Sequence, residues 1–242
     1  MSERALSSFR CAALFACTLA CADSSTRTPA KNASPIDERE VRTWKGEIPG
    51  LGPPAPLVIV LHGYSIDGEK ELALLPIRTF AREKHFVLTW PDGTRDKKGY
   101  RFWNATDACC NFHGSDVDDV RFLENVIDHF VNTGRVDPKR VYLLGHSNGA
   151  FMAHRFACER SSKVAAIATL AGVTWNDPSR CQPSEGVSVL HIQGSADPAI
   201  SPAGGRIDQN PVYPSAEQTV LTWSRFDGCT DPLAPLAGSF DY

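Results

Sequence analysis

Lys139-Arg-Val-Tyr-Leu-Leu-Gly-His-Ser-Asn-Gly-Ala-Phe-Met-Ala-His-Arg-Phe-Ala-Cys-Glu159 is the stretch that decides the fold. Its first six residues, Lys139–Leu144, read as a buried strand, and Ala150–Glu159 read as a helix. Between them stand Gly145-His-Ser-Asn-Gly149. Glycines on both flanks permit a turn too tight for larger side chains, and that turn thrusts Ser147 from the end of the sheet. The five-residue pattern alone arises by chance in about one chain in ten of this length, taking Gly and Ser near 7% each. The preceding strand and following helix give it meaning. The backbone N–H of Asn148 is then aimed at any oxyanion that forms beside Ser147.

Outward from this stretch the chain keeps alternating. Leu57–Leu61 is an apolar run of the kind buried on both sheet faces. Leu72, Leu75, Ile77 and Phe80 follow at roughly helical spacing. His85–Trp90 reads as a strand stopped by Pro91-Asp-Gly93. Asp116–Val131 reads as a helix with Asp116, Asp118 and Asp119 at its N-terminus, where acidic charge is favoured. Val164–Leu170 and Val187–Ile192 read as strands, and Glu217–Phe226 as a helix. Strands alternating with helices imply an α/β fold, a mostly parallel sheet with helices on both faces.

Composition removes other classes. The chain has 242 residues, 42% of them hydrophobic and 22% charged, with a formal net charge of −3. That balance excludes disorder along the whole chain. With no basic excess to neutralise phosphates, nucleic acid is not an expected partner. Pro is frequent, at 17 residues, and loops are expected to be many. Arg4 and Arg10 precede the short apolar run Cys11–Ala20, a pattern that reads as a secretory signal over 1–21. Thr18-Leu-Ala-Cys21 resembles a bacterial lipobox, which makes Cys21 a candidate lipidation site. Leu14-Phe-Ala-Cys17 is a competing one. Residues 22–40 read as a flexible linker. The expected location is therefore outside the cytoplasm, secreted or lipid-anchored at the cell envelope.

Five of the eight cysteines lie beyond the signal: Cys109, Cys110, Cys158, Cys181 and Cys229. None has the spacing of a zinc site, so a metal is not expected. Export favours disulfides, and an odd number leaves at least one cysteine unpaired. Cys109 and Cys110, being adjacent, are expected to point to different partners.

Two more segments flank Ser147 in function. Leu61-His-Gly-Tyr64 closes the first buried strand, and the N–H of Tyr64, or else of Ser65, would be a second oxyanion donor. His62 reads as a loop-ordering residue. Gln193-Gly-Ser-Ala-Asp197-Pro198 follows the last strand. An Asp just past a strand end, downstream of the nucleophile, is placed to be the acid of a catalytic triad. An Asx turn before Pro is its other use. Asp177 and Asp208 are the alternatives for the acid.

These residues resemble the exported esterases grouped with polyhydroxybutyrate depolymerases and feruloyl esterases. The resemblance rests on Pro56–Gly63, Pro91-Asp-Gly93, Trp103-Asn104, Cys109-Cys110, Asp118-Asp-Val120 and Gly145–Ala150. Ala157-Cys-Glu159, Ala171-Gly172, Leu190-His-Ile192 and Gly194 with Asp197 continue it, in order. It implies an α/β-hydrolase domain over 41–242 and cleavage of an ester through an acyl-enzyme, with Ser147 as nucleophile and no cofactor. The expected substrate is a polymeric or aromatic ester, of feruloyl-polysaccharide or polyhydroxybutyrate type, and the expected state a monomer. Trp103, Trp175 and Tyr213 are candidates to contact an aromatic acyl group. The family's C-terminal Gly-His-Trp-Pro-like segment, which carries the catalytic base, has no counterpart here, and Gln193 stands where many relatives have His. The expectation is a domain incomplete at its C-terminus, lacking the final strand and His loop. Its alternative function is to bind an ester or polymer without turnover. The resemblance further implies that the partner of Cys229 lies in that missing segment.

Overall fold

The computed structural model describes residues 52–230 and the backbone of residues 41–45. The expected signal 1–21, its Cys21 and the linker up to residue 40 lie outside the described residues. Among the described residues no helix is long and apolar enough to cross a membrane.

A six-stranded sheet is built from β1 (Val41–Lys45), β2 (Ala55–Leu61), β3 (Val87–Pro91), β6 (Val136–His146), β7 (Ala166–Leu170) and β8 (Ser188–Ile192). Two small hairpins, β4–β5 (Thr94–Arg95 and Arg101–Phe102) and β9–β10 (Gly205–Arg206 and Val212–Tyr213), stand apart from it. The sheet order is β1-β3-β2-β6-β7-β8, parallel throughout except for β1, which runs antiparallel to β3. The expected α/β architecture is therefore present. Among the described residues β8 forms one edge of the sheet.

Apolar alternation puts helices on both faces. Leu57, Ile59 and Leu61 of β2 join the core shared with α3 (Asp119–Asn132) and α4 (Asn148–Glu159). Val58 and Val60, pointing the other way, join a second core with α1 (Gly68–Leu74) and α2 (Ile77–Lys84). A strand clothed on both sides needs the unbroken apolar run seen in its sequence. The single helical run expected over Leu72–Phe80 is broken in two. Pro76 lacks an N–H, and Leu75 before it is extended at φ −116°, ψ 123°. Phe80 consequently faces solvent. The last helix, α5 (Ala216–Phe226), opens on a capping box of Ser215 and Gln218 and buries Trp223.

The cysteines correct one expectation. Cys109 and Cys110 do not seek different partners; they bridge each other. The peptide between them is cis, and both residues are packed in the main core. Cys158, near the end of α4, is bridged to Cys181, and Cys229 is free and exposed.

Candidate active site

The sheet order reverses direction between β2 and β6: β3 lies to one side of this pair, β7 and β8 to the other. In open α/β sheets the crevice past the strand C-termini at such a point is where ligands bind. Here it is formed by the loop His62-Gly63-Tyr64 after β2 and by Ser147 after β6.

Ser147 sits between strand and helix with φ 50° and ψ −120°, a conformation unfavourable for any residue with a side chain. The surroundings fix it. Its N–H donates to Leu170 O at 2.8 Å, and its carbonyl accepts from Ala150 and Phe151 N–H at 2.8 and 3.1 Å. Glycines on either side permit this. A Cβ on Gly145 would lie 2.3 Å from Gly149 O, and one on Gly149 would lie 2.1 Å from Leu61 O. No described side chain hydrogen-bonds the Ser147 hydroxyl.

Asn148 opens α4, so its N–H belongs to the unpaired first turn. Its buried side chain grips the backbone of Trp103: Oδ1 accepts from Trp103 N–H at 2.7 Å, and Nδ2 donates to Trp103 O at 3.0 Å. The same Nδ2 lies 3.8 Å from Cys109 Sγ. In the opposing loop, Gly63 N–H donates to Glu71 Oε2 at 3.0 Å and Ser65 N–H to Arg101 O at 2.8 Å. Tyr64 N–H, between them, donates to no described residue. The N–H groups of Tyr64 and Asn148 are thus left free while those around Tyr64 are engaged.

His62 is buried, and burial lowers its pKa. Its Nε2 accepts from Gly93 N–H at 2.9 Å, and its Nδ1 lies 2.8 Å from Gly63 O. It ties the loop to the segment after β3.

Glu71 is the member of this region that sequence reasoning missed. It is 1% exposed, and its Oε2 meets both Gly63 N–H and His146 Nδ1, the latter at 3.1 Å. One carboxylate therefore joins the two loops that carry Tyr64 and Ser147. The bond to Glu71 raises the His146 pKa, the charge of Asp197 adds to it, and burial opposes both. An acidic residue in a short amphipathic helix gives no signal of this in the sequence.

Asp197 stands past β8 and is half-buried. Its Oδ1 accepts from the N–H of Ala199 and Ile200 at 2.8 and 3.0 Å, the Asx-type turn that Asp-Pro favours. Its Oδ2 receives only the Gln193 amide, at 3.3 Å. Asp177 caps a 3-10 turn at Pro178–Arg180 and Asp208 lies in the β9–β10 turn; both are exposed. All seven histidines are described, and none hydrogen-bonds Ser147 or Asp197. Trp103, Trp175 and Tyr213 are buried, and Trp175 is covered by the Arg180 guanidinium 3.8 Å above its ring.

Sheet, crossovers and the turn at Ser147 define an α/β-hydrolase. The Bacillus cereus carboxylesterase shares this fold, with a TM-score of 0.58 over 79% of this chain and 82% of that one, at 16% identity. A phospholipase/carboxylesterase of Dyadobacter fermentans does so equally, at 0.58 over 81% and 86%, with 13% identity. Within that class the chain belongs to the Esterase PHB depolymerase family, whose sequence profile matches residues 51–214. It is similar to esterase NocK of Nocardia uniformis subsp. tsuyamanensis, 29% identical over 76% of this chain and 55% of that one. It is also similar to feruloyl esterase B of Piromyces equi, 28% identical over 60% and 27%. The chain thus spans about half the length of the first relative and about a quarter of the second.

Proposed function

We propose that this chain carries the nucleophile half of a serine carboxylic-ester hydrolase acting on a polymeric or aromatic ester. The observation that supports it is the strained Ser147 backbone, with the N–H groups of Asn148 next to it and of Tyr64 in the loop after β2 both left free. Ser147 Oγ attacks the ester carbonyl carbon as its proton passes to a base. The two N–H groups receive the negative charge that develops on the carbonyl oxygen. The C–O bond to the alcohol breaks, the alcohol leaves with the proton, and water then cleaves the acyl-enzyme. Asp197 would orient and charge-balance the base. No cofactor takes part.

None of the seven histidines hydrogen-bonds Ser147, so the described residues show no proton acceptor for its hydroxyl. This favours a second reading for the chain by itself, binding of an ester or polymer without turnover. Imidazole in solution distinguishes the two. A fluorophosphonate should label Ser147 slowly, labelling should accelerate with added imidazole, and Ser147→Ala should abolish it. Imidazole-independent labelling elsewhere, unchanged by Ser147→Ala, would reject the nucleophile.

The proposal extends to export, with residues 1–21 as the signal, and to a monomeric state. Lipidation at Cys21 adds a diacylglyceryl mass at a mature N-terminus that begins there. Recovery of the full chain with an intact N-terminus only from cytosol would refute export.

A further inference from the structure

Gly63 is joined to His62 twice, once through the chain and once through the ring. His62 Nδ1 lies 2.8 Å from Gly63 O, and a carbonyl oxygen can only accept, so Nδ1 carries a proton and donates it. His62 Nε2 accepts from Gly93 N–H at 2.9 Å, so that nitrogen carries none. The two partners together assign one tautomer, neutral with its proton on Nδ1. Charging the ring would set a second N–H against that of Gly93. Burial, the largest influence, lowers the His62 pKa; the Gly63 carbonyl and the charges of Asp92 and Glu71 oppose it, and Arg101 adds to the fall.

The carbonyl that His62 holds belongs to the peptide between Gly63 and Tyr64. That peptide is trans; among the described residues the cis bond is Cys109–Cys110. In a trans peptide the C=O and the N–H point in opposite directions. Drawing Gly63 O onto the buried ring therefore turns Tyr64 N–H away from it, to the side where it meets no described partner. Gly63 itself stands beside Ser147, a Cβ on it lying 3.5 Å from Ser147 Cβ. The preceding peptide is held as well, because Gly63 N–H donates to Glu71.

The ring has a rigid support. It is fully buried and packs on Trp103 with centroids 5.1 Å apart, and Trp103 Nε1 donates to His62 O at 3.1 Å. Trp103 is the residue whose backbone Asn148 grips, so one indole steadies both the loop of Tyr64 and the turn of Asn148. Gly93 can approach Nε2 because it has no side chain: a Cβ there would lie 3.2 Å from Nε2 and 2.3 Å from Phe102 O. We propose that His62 is a positioning residue, whose Nδ1–H locks the Gly63–Tyr64 peptide and so keeps Tyr64 N–H free for the oxyanion. The use of that N–H rests on the ester-cleaving reading; the lock rests on the hydrogen bonds alone.

Two amides separate the two bonds of the ring. In His62→Asn the Nδ2 amide replaces Nδ1 and can donate to Gly63 O, while Gly93 N–H loses its acceptor. In His62→Gln the Oε1 oxygen replaces Nε2 and can accept from Gly93 N–H, while Gly63 O loses its donor. A merely structural ring predicts that Gln, the larger, is the better replacement. The lock predicts the reverse. With imidazole present, the maximal rate of fluorophosphonate labelling at Ser147 should fall about a hundredfold in His62→Gln and less than about tenfold in His62→Asn. The reagent concentration giving half that rate should change little in either. Labelling of His62→Gln at the parent's rate, or equal losses in the two variants, would overturn the proposal. A second measurement needs neither variant nor labelling. NMR of the His62 ring nitrogens in the full chain should show Nδ1 protonated and Nε2 bare from about pH 8 to about pH 6, where an ordinary histidine is more than half charged. A proton on Nε2 anywhere in that range would also overturn it. A parent that never labels, with the ring in the expected tautomer, removes the nucleophile and leaves the lock standing.

Discussion

Ser147 and Asp197 were each expected at the end of a strand, yet the protein treats them differently. Ser147 is held on every side: by Leu170, by the first turn of α4, by two glycines with no room for a methyl group, and by loops joined through Glu71 and Asn148. Asp197 is held by its own turn and one long bond from Gln193. A strained conformation persists only where its neighbours over-determine it, and the Ser147 turn meets that condition. An acid needs no strain; it needs a base to orient, and none of the chain's histidines hydrogen-bonds it. Preorganisation is concentrated on one side of the crevice.

The sharpest way to break this contrast is to add one methyl group to each side. Gly149→Ala drives a Cβ toward the carbonyls of Leu61 and His62, backbone atoms of a central strand and its loop that cannot give way locally. The expected cost is about 3 kcal/mol or more. In Gly194→Ala the new Cβ meets the Asp197 side chain at 3.5 Å, an ordinary contact, and the cost should stay within about 0.5 kcal/mol. Denaturant unfolding of both measures the difference. Equal effects would mean the two sides are equally constrained.

A smaller effect is expected from the carboxylates. Glu71→Gln replaces the charge that accepts from Gly63 N–H and faces His146, and should cost about 1.5–3 kcal/mol. Asp197→Asn keeps an acceptor for the N–H groups of Ala199 and Ile200 and should cost about 0.5 kcal/mol. The His146 pKa, followed by NMR, should fall in both variants, and further in Glu71→Gln, because the bond from Glu71 outweighs the charge of Asp197. A larger fall in Asp197→Asn would show that the Asp197 side reaches into the turn at Ser147.

The seam between the two sides carries a pH-sensitive pair. His154 of α4 and His191 of β8 lie with ring centroids 6.2 Å apart, and Trp223 Nε1 donates to His154 Nδ1. Thr169 Oγ1 sits 3.0 Å from His191 Nδ1. Burial lowers His154 to about 3, with His191 adding to the shift, and burial lowers His191 to about 4. Unfolded histidine titrates near 6.5, so from there down to about 4 the unfolded chain binds protons that the folded chain refuses. Stability from this pair is present above pH 6.5 and is lost as pH falls toward the folded values. The pair should add a slope approaching two protons to the fall in unfolding free energy between pH 7 and pH 4.5, alongside the contributions of His62 and His146. His191→Gln should remove about half of that slope. A slope unaltered in the variant would exclude the pair as its source.

Much of this was legible because it is periodic or local. Apolar runs fixed β2, β3, β6, β7 and β8 to within a few residues, and the Gly-x-Ser-x-Gly turn is a short-range steric fact. Pro76 is visible as well, but apolar spacing runs on across it and hides the break that the extended Leu75 makes. What the sequence concealed is non-local. Nothing near Glu71 in the chain tells that it will meet Gly63 and His146, 8 and 75 residues away. The bonds of Asn148 to Trp103 span 45 residues. The strand β1 was missed because it is short and joins the sheet antiparallel through β3. Adjacency hides the Cys109–Cys110 bridge, because neighbouring side chains on an extended chain diverge.

The smallest expected effect separates the cysteines along the same line. Cys109 and Cys110 are packed beside Asn148, and Cys181 is buried where it bridges Cys158. Cys229 lies beyond α5, after Gly228 at φ 65°, exposed and unbridged. A thiol is reactive only where reagent reaches it, so alkylation without prior reduction should mark Cys229 and spare the four bridged residues. Peptide mass spectrometry on soluble oxidised protein reads this directly. Cys229→Ser should change stability by no more than about 0.5 kcal/mol, because the side chain packs against little. Discovery of Cys229 bridged to Cys109, Cys110, Cys158 or Cys181 would break the pairing and with it the picture of a closed Ser147 side. A dimer linked through Cys229 under non-reducing conditions, with the other four protected, leaves the pairing intact. It would locate the one thiol of the described residues that is open to a partner.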